Sequence, residues 1–300
     1  MQCSKFLILI KECCKDGQEY IPDFLDDIVD KLVNCLNSVR TPNNKVFLFN
    51  GTNEFKMDTY FDYLKGLEYK SESIKDIINQ IYIARTKQTL LFFDIGPPPE
   101  KKYSSSYQSG PLSFEYFVES KKIITNCGFG NKISSKAELI SRLTSAQSTL
   151  CINDSSVVKF EKNSLIQNTF GTTITDSFKV FDIDNNEDSH FVYTSGTHDA
   201  YINNFSYLHK RSIKLSKKNA DLFGKDELIF VDNNKQINNI YAIRFHLYPG
   251  VSAVQTMGKN SILVQTEKNK SLIFTTNGEN LALEKSIFLG RNQIVNNFCI

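Results

Sequence analysis

Three hundred residues can bury one large core or two modest ones, and 41% hydrophobic against 23% charged residues is the balance of a globular chain, not a disordered one. The net charge of +2 is too small a field to make nucleic acid the main partner. Seven cysteines, odd in number, irregularly spaced and without a CxxC pair, argue against a disulfide framework or a thiolate metal site and fit a reduced compartment.

In chain order, the apolar run Phe6–Ile10 is too short for a bilayer span and lacks the cleavage site of a secretion signal. It reads as a buried strand or a piece of helix. Residues 22–37 read as an amphipathic helix. Pro22 suits its first turn, and Asp23, Asp26 and Asp27 put negative charge near its amino end. Phe24 or Leu25 with Ile28, Leu32 and Leu36 would form its apolar stripe. Ser73 is expected to cap a second helix in which Ile74, Ile77, Ile78, Ile81 and Tyr82 share a face. So few helices need another layer to bury their stripes.

After Lys87 the pattern changes to short strands between turns. Thr89–Ile95 runs into Gly96-Pro97-Pro98-Pro99, which cannot continue a sheet. Phe114, Phe117, Ile123 and Ile124 mark two more strands. Thr149–Ile152, His190–Thr194, Phe205–His209 and Ile213–Leu215 are further candidates. Tyr241–Tyr248 alternates apolar and polar residues as one half-buried strand, and Ser261–Thr266 with Ser271–Thr276 forms a hairpin. The expected fold is mainly β, stacked antiparallel sheets in a sandwich, after a short helical segment.

The richest polar cluster runs from Ser195 to Tyr201 and on to His209-Lys210-Arg211. His198 and His209 can exchange protons near neutrality, Tyr201 can serve as acid or base, and Arg211 can hold a carboxylate. The competing reading gives these residues turn and strand-end hydrogen bonds. His246, with Arg244 and Tyr248, would line a groove or an ordinary solvated sheet face. There is no HxH, HExxH, Walker loop, dinucleotide glycine pattern or GxSxG elbow, and Asn50-Gly51 is a turn.

Several stretches taken in order resemble the carboxyl-terminal half of heparinase II/III-like polysaccharide lyases. They are Leu48-Phe49-Asn50-Gly51, Phe93–Pro99, Ser109–Glu115, Thr125-Asn126-Cys127-Gly128, Gln147–Leu150, His198–Tyr201, His209–Arg211 and Arg244–Pro249. The resemblance implies an α/α-toroid followed by stacked sheets. Residues 1–86 would then be the truncated end of the toroid and residues 87–300 the β domain. It further implies β-elimination of a uronate-containing glycan, in which a cation or a protonated group neutralises the carboxylate, a Tyr or His base removes the C5 proton and an acid protonates the leaving oxygen.

The candidate catalytic residues are His198, Tyr201, His209 and Arg211, and the resemblance makes either His198 or His209 the equivalent of the family's later histidine. Gln108, Gln147, Arg244 and His246 become the candidate substrate-binding residues. Gln108 and Gln147 stand where relatives carry histidines, and Asn126 where some carry a metal-binding aspartate. Amides cannot titrate near neutrality, so the zinc known in the family has altered ligand positions here, and no cofactor is expected. Two functions follow: a lyase that is incomplete or degenerate in this chain, or a non-catalytic carbohydrate-binding or structural β-sandwich. The expected partners are an acidic polysaccharide and an upstream toroid-bearing chain, with neither nucleic acid nor a membrane span. The expected location is cytoplasmic as the sequence stands, and periplasmic if the amino end is truncated.

Overall fold

A computed structural model of the chain describes residues 2–69, 76–231, 239–267, 270–278 and 280–300. The first part is helical, with α1 (Gln2–Asp16), α2 (Asp23–Ser38) and α3 (Asp58–Gly66). The run Phe6–Ile10 lies within α1, where Ile8 is buried while Phe6, Leu9 and Ile10 face outward. In α2 the buried stripe is Leu25, Val29 and Val33, with Leu36 half-buried, and it packs on Ile8, Tyr60 and Leu64. Phe24 and Ile28 point away from that core. The stripe keeps helical spacing but is turned by one residue, because α1 and α3 meet α2 on that side. No helix among the described residues is long and apolar enough to cross a membrane.

The second helix expected near Ser73 does not form where it can be followed. Ser73 and Ile74 lie outside the described residues, and from Ile77 the chain is strand. β1 (Ile77–Ile78) and β2 (Ile81–Arg85) pair across Asn79 and Gln80, both of which have positive φ. A short apolar run is ambiguous by periodicity, and its isoleucines favour a strand, which is buried on both faces in β2 but exposed at Ile77 in β1. Ile81 and Ile83 face the core beneath the helical segment, while Tyr82 and Ala84 face the core between the sheets.

The strands then follow in quick succession: β3 (Thr89–Asp94), β4 (Phe114–Val118), β5 (Lys121–Thr125) and, after the short helix α4 (Ser135–Ser141), β6 (Leu150–Ile152). Helix α5 (Ser164–Phe170) leads to β7 (Val180–Glu187) and β8 (Phe191–His198), and α6 (Ile202–Phe205) to β9 (Tyr207–Ser216) and β10 (Leu222–Phe230). Next come β11 (Tyr241–Ile243), β12 (His246–Leu247) and β13 (Ser252–Gln255). The last four are β14 (Ser261–Glu267), β15 (Lys270–Thr275), β16 (Glu284–Phe288) and β17 (Val295–Cys299).

The architecture is mainly β, in stacked antiparallel sheets behind a short helical segment. An eight-stranded sheet of order β1-β2-β3-β4-β5-β12-β17-β16 lies against the helices. A four-stranded sheet, β10-β9-β8-β7, and a three-stranded sheet, β13-β14-β15, cover its other side, and β11 pairs with β6. Sandwiching explains why β3 reads as an unbroken apolar run: Leu90 and Phe92 face the helical side, while Leu91 and Phe93 face the second sheet layer. The hairpin of β14 and β15 forms as expected.

Two strand expectations change. Phe205–His209 and Ile213–Leu215 are not separate strands: Phe205 ends α6, and β9 runs through both remaining parts. Tyr241–Tyr248 is not one half-buried strand. β11 pairs with β6, whereas β12 enters the large sheet between β5 and β17, so His246 and Leu247 are both buried.

Close approaches fix the loops that carry polar groups. Gly128 has φ +79°, and a Cβ there would lie 2.3 Å from the Gly290 Cα. The same crossing is stitched by Leu289 N–H donating to Cys127 O and Glu54 N–H donating to Gly290 O, each at 2.6 Å. Gly128→Ala should therefore destabilise the fold by roughly 2–4 kcal/mol, since backbone must move and the alanine must hold a left-handed φ. A urea titration of the variant checks this through its midpoint.

Candidate functional site

His198, Tyr201, His209 and Arg211 do converge, but inside the protein, on the inner face of the four-stranded sheet. His198 stands opposite His209 across β8 and β9, and Arg211 stands opposite Asp226 across β9 and β10. Arg211 grips Asp226 with two nitrogens, Nε at 2.8 Å from Oδ1 and Nη2 at 3.1 Å from Oδ2. Its Nη1 donates to the carbonyls of Leu112 and Ser148 at 2.9 Å each, tying this sheet to the loops of the larger one. Leu112 holds φ +56° there, and Gly196 has no side chain because Leu112 packs where its Cβ would be.

The histidines form a directed chain. Ala200 N–H donates to His198 Nδ1, so His198 carries its proton on Nε2 and gives it to His209 Nδ1 at 3.0 Å. His209 Nε2–H then donates to Asp226 Oδ1 at 2.6 Å. Each ring is satisfied in one neutral tautomer. Burial pushes both imidazole pKa values down, and for His209 it outweighs the pull of Asp226. Asp226 is held well below the usual carboxylate range: burial opposes this, but Arg211 and His209 overcome it. Tyr201 spends its hydroxyl on Leu150 O at 2.8 Å.

The second group of candidates is also interior, apart from Arg244. Gln108 Nε2 donates to Gly128 O at 3.0 Å and Ser141 O at 2.8 Å, while its Oε1 accepts from Gly51 N–H. Gln147 Nε2 donates to the same Ser141 O at 2.8 Å. Asn126 accepts from Ser148 N–H and donates to Leu48 O. His246 Nε2 meets Ser145 O at 3.0 Å and its Nδ1 meets Ser286 Oγ at 3.1 Å, and burial lowers its pKa to about 4. Arg244, at the surface, pairs with Asp154 at 2.7 Å. Gln108, Asn126 and Gln147 do sit together, but their amide nitrogens are aimed at backbone carbonyls and none brings an imidazole or a carboxylate. This set does not fit zinc. Beside it lies a dry ion pair, Lys122 with Glu115 at 2.8 Å, whose carboxylate also takes the Thr125 hydroxyl.

A cluster that does reach solvent went unnoticed in the sequence, because its members are far apart in the chain. Tyr248 Oη donates to Glu54 and accepts from Lys45 Nζ at 2.7 Å and Arg291 Nη2 at 3.0 Å. Arg291 Nε also reaches Glu54 at 3.0 Å, and Lys45 lies 3.5 Å from it. Burial would raise the Glu54 pKa, yet the hydrogen bonds from Tyr248 and Arg291, with the charges of Lys45 and Lys122, bring it below its ordinary value. Two cations here share one carboxylate and one phenol, at the seam between the helical segment and the large sheet. Only Tyr248, placed beside Arg244 and His246, gave any hint of it in the sequence.

The family model described as "Heparinase II/III-like, C-terminal" matches residues 80–298. The chain belongs to the heparinase II/III-like family. Among solved structures it is similar to the heparan sulfate lyase of Pedobacter heparinus, with a TM-score of 0.75 and 14% identity over 99% of this chain and 47% of that one. It is also similar to heparinase III, with a TM-score of 0.65 and 12% identity over 93% of this chain and 46% of that one. At such identities these likenesses bear on the fold alone. Among curated proteins, FtsZ-localized protein C of Caulobacter vibrioides is 24% identical over 182 residues, which is 59% of this chain and 31% of that protein. The family member described here thus spans less than half the length of each of these relatives.

Two measurements test the buried network. In the unfolded chain His198, His209 and His246 would take up protons below about pH 6.5, whereas the folded protein keeps them neutral. Asp94 opposes them, since burial raises its pKa to about 7 and unfolding would release its proton. His198 and His246 each gain a proton on unfolding and His209, lowered as well, adds to them, against the one proton that Asp94 loses, so stability falls as pH drops from 6.5 towards 5. The slope approaches about 1.4 kcal/mol per pH unit for each net proton. Thermal unfolding midpoints across that range give the sign directly. Separately, Asp226→Asn leaves the Arg211 charge buried without its counter-ion and should cost roughly 3–5 kcal/mol, read from chemical denaturation at neutral pH.

Proposed function

We propose that this chain is the β-sheet half of a polysaccharide lyase-like protein, that it engages a uronate-containing polysaccharide, and that with the residues it carries it binds that glycan without cleaving it. The observation that carries this reading is the amide set Gln108, Asn126 and Gln147, hydrogen-bonded to backbone where the family has titratable groups. The buried histidines support it too, because their nitrogens are fully engaged inside the protein and no substrate proton can reach them. The curated relative is named for localisation with FtsZ, not for cleaving a glycan, which is compatible with a binding role. The outward faces of α1 and α2, with Phe6, Leu9 and Phe24 exposed, suit packing against a further helical layer.

A second reading, β-elimination, has one observation in its favour. Tyr248 stands beside Lys45 and Arg291, so a phenolate base and a carboxylate neutraliser would be side by side. Glu54 offsets one of the two cations, and the single positive charge left over would meet the uronate carboxylate while Tyr248 takes the proton.

The purified chain should bind a uronate polysaccharide in calorimetry while producing no ultraviolet-absorbing unsaturated uronate on prolonged incubation. Unsaturated product that disappears in Tyr248→Phe would replace the binding reading with the eliminative one.

A further inference from the structure

The outer face of the four-stranded sheet carries a trough of ≈ 380 Å³ that is separate from both the buried network and the Tyr248 cluster. Strand register explains its shape. Asn186, Tyr193, Lys214 and Phe223 stand opposite one another across the four strands and form one transverse row. Asp184, Ser195, Ser212 and Lys225 form the next. One row is aromatic and tall, and the centre of the other is two serines, so a channel opens between them. These positions alternate with the inward ladder of His209, Arg211 and Ile213, which is why their side chains face away from the core.

The chemistry of this channel is specific. Lys214 has no carboxylate partner among the described residues. Its ammonium rests over the ring of Phe191 at 3.8 Å, with Tyr193 at 5.7 Å and Phe223 at 5.9 Å. Tyr193 is fixed by its hydroxyl, which donates to Asp188 at 3.0 Å, so its ring is held in place. Phe223 is 54% exposed, so much of its ring beyond the Lys214 contact faces solvent. Lys225 is paired with Glu227 at 2.8 Å, and Asp184 at the far end accepts from Asn186 at 3.0 Å. Aromatic faces stack on the C–H side of a sugar ring, serine hydroxyls and a carboxylate exchange hydrogen bonds with its hydroxyls, and a cation without a partner takes an anionic substituent.

We infer that this trough is a binding site for an acidic saccharide chain, with Lys214 taking a carboxylate or sulfate group and Tyr193 and Phe223 supporting the sugar rings. The inference rests on the reading that the chain engages an acidic polysaccharide, and it adds a second place of contact remote from Tyr248.

Calorimetry with polygalacturonate, a sulfated glycosaminoglycan and a neutral glucan of similar length tests it. The intact chain should bind at least one of the acidic chains, more weakly as salt rises, and should not bind the neutral one. Lys214→Ala and the double variant Tyr193→Ala with Phe223→Ala should each weaken that binding roughly tenfold or more. Ser212→Leu, which fills the floor without touching the charge, should do the same. Arg291→Ala serves as the comparison at the Tyr248 cluster. Wild-type binding that survives all three trough changes overturns the trough while leaving the broader reading intact. Binding to neither acidic chain overturns both. Thermal melts of each variant matching the parent assign any loss to the surface and not to unfolding.

Discussion

The Asp226 carboxylate, clamped by Arg211 and His209 between two sheets, is the contact on which the rest of the domain depends. Burying one carboxylate costs several kcal/mol unless nearly every lone pair is used, and here a two-pronged guanidinium and an imidazole use them. Because Arg211 also reaches Leu112 and Ser148, the same ion pair sets the distance between the four-stranded sheet and the loops of the larger one. Ser148 in turn donates its amide to Asn126 and its hydroxyl to Thr125 O. Thr125 reaches Glu115 and Lys122 beyond. A polar spine thus crosses an otherwise apolar interior, and its directionality fixes which loop meets which strand in a way that hydrophobic contact alone does not.

That spine also separates residue type from residue role. A histidine pair, a tyrosine and an arginine close in sequence resemble a proton-transfer centre. Packed against Phe178 and Tyr201 and closed off from water, the same side chains work as structure. Surplus positive charge lies elsewhere, at Lys45 and Arg291 beside Tyr248 and at Lys214 on the outer sheet.

Much of this fold was legible beforehand, and the failures have physical causes. The strands around Phe93, Phe114 and Ile124 and the β14–β15 hairpin stand out because apolar residues are bounded by strong turn formers. Ile77 to Tyr82 reads as helix because isoleucines three and four apart satisfy a helical period, whereas the segment is a hairpin whose β1 side is largely exposed and whose β2 side is buried. β12 reads as a half-solvated strand because His246 looks exposed in the sequence, and only pairing with β5 and β17, from distant parts of the chain, buries it. The convergence of His198, His209 and Arg211 could be anticipated, since they lie on one hairpin. Their partner Asp226 could not, because only the register of β10 brings it there. Tyr248, Glu54 and Arg291 were likewise invisible together, being joined by tertiary contact alone.

The strand order of the large sheet has a consequence for how the polypeptide matures. Strands β1 to β5 are synthesised early, but the neighbours that complete the sheet, β12, β17 and β16, come from its final third. Until these emerge, β5 presents an unpaired edge, and β17, which sits between two partners, is the last to arrive. Such long-range closure is slow and leaves sticky intermediates. Of the two lysines on β5, Lys121 stays exposed while Lys122 pairs with Glu115 of the neighbouring β4 and is buried, so charge at that edge rests on Lys121 alone.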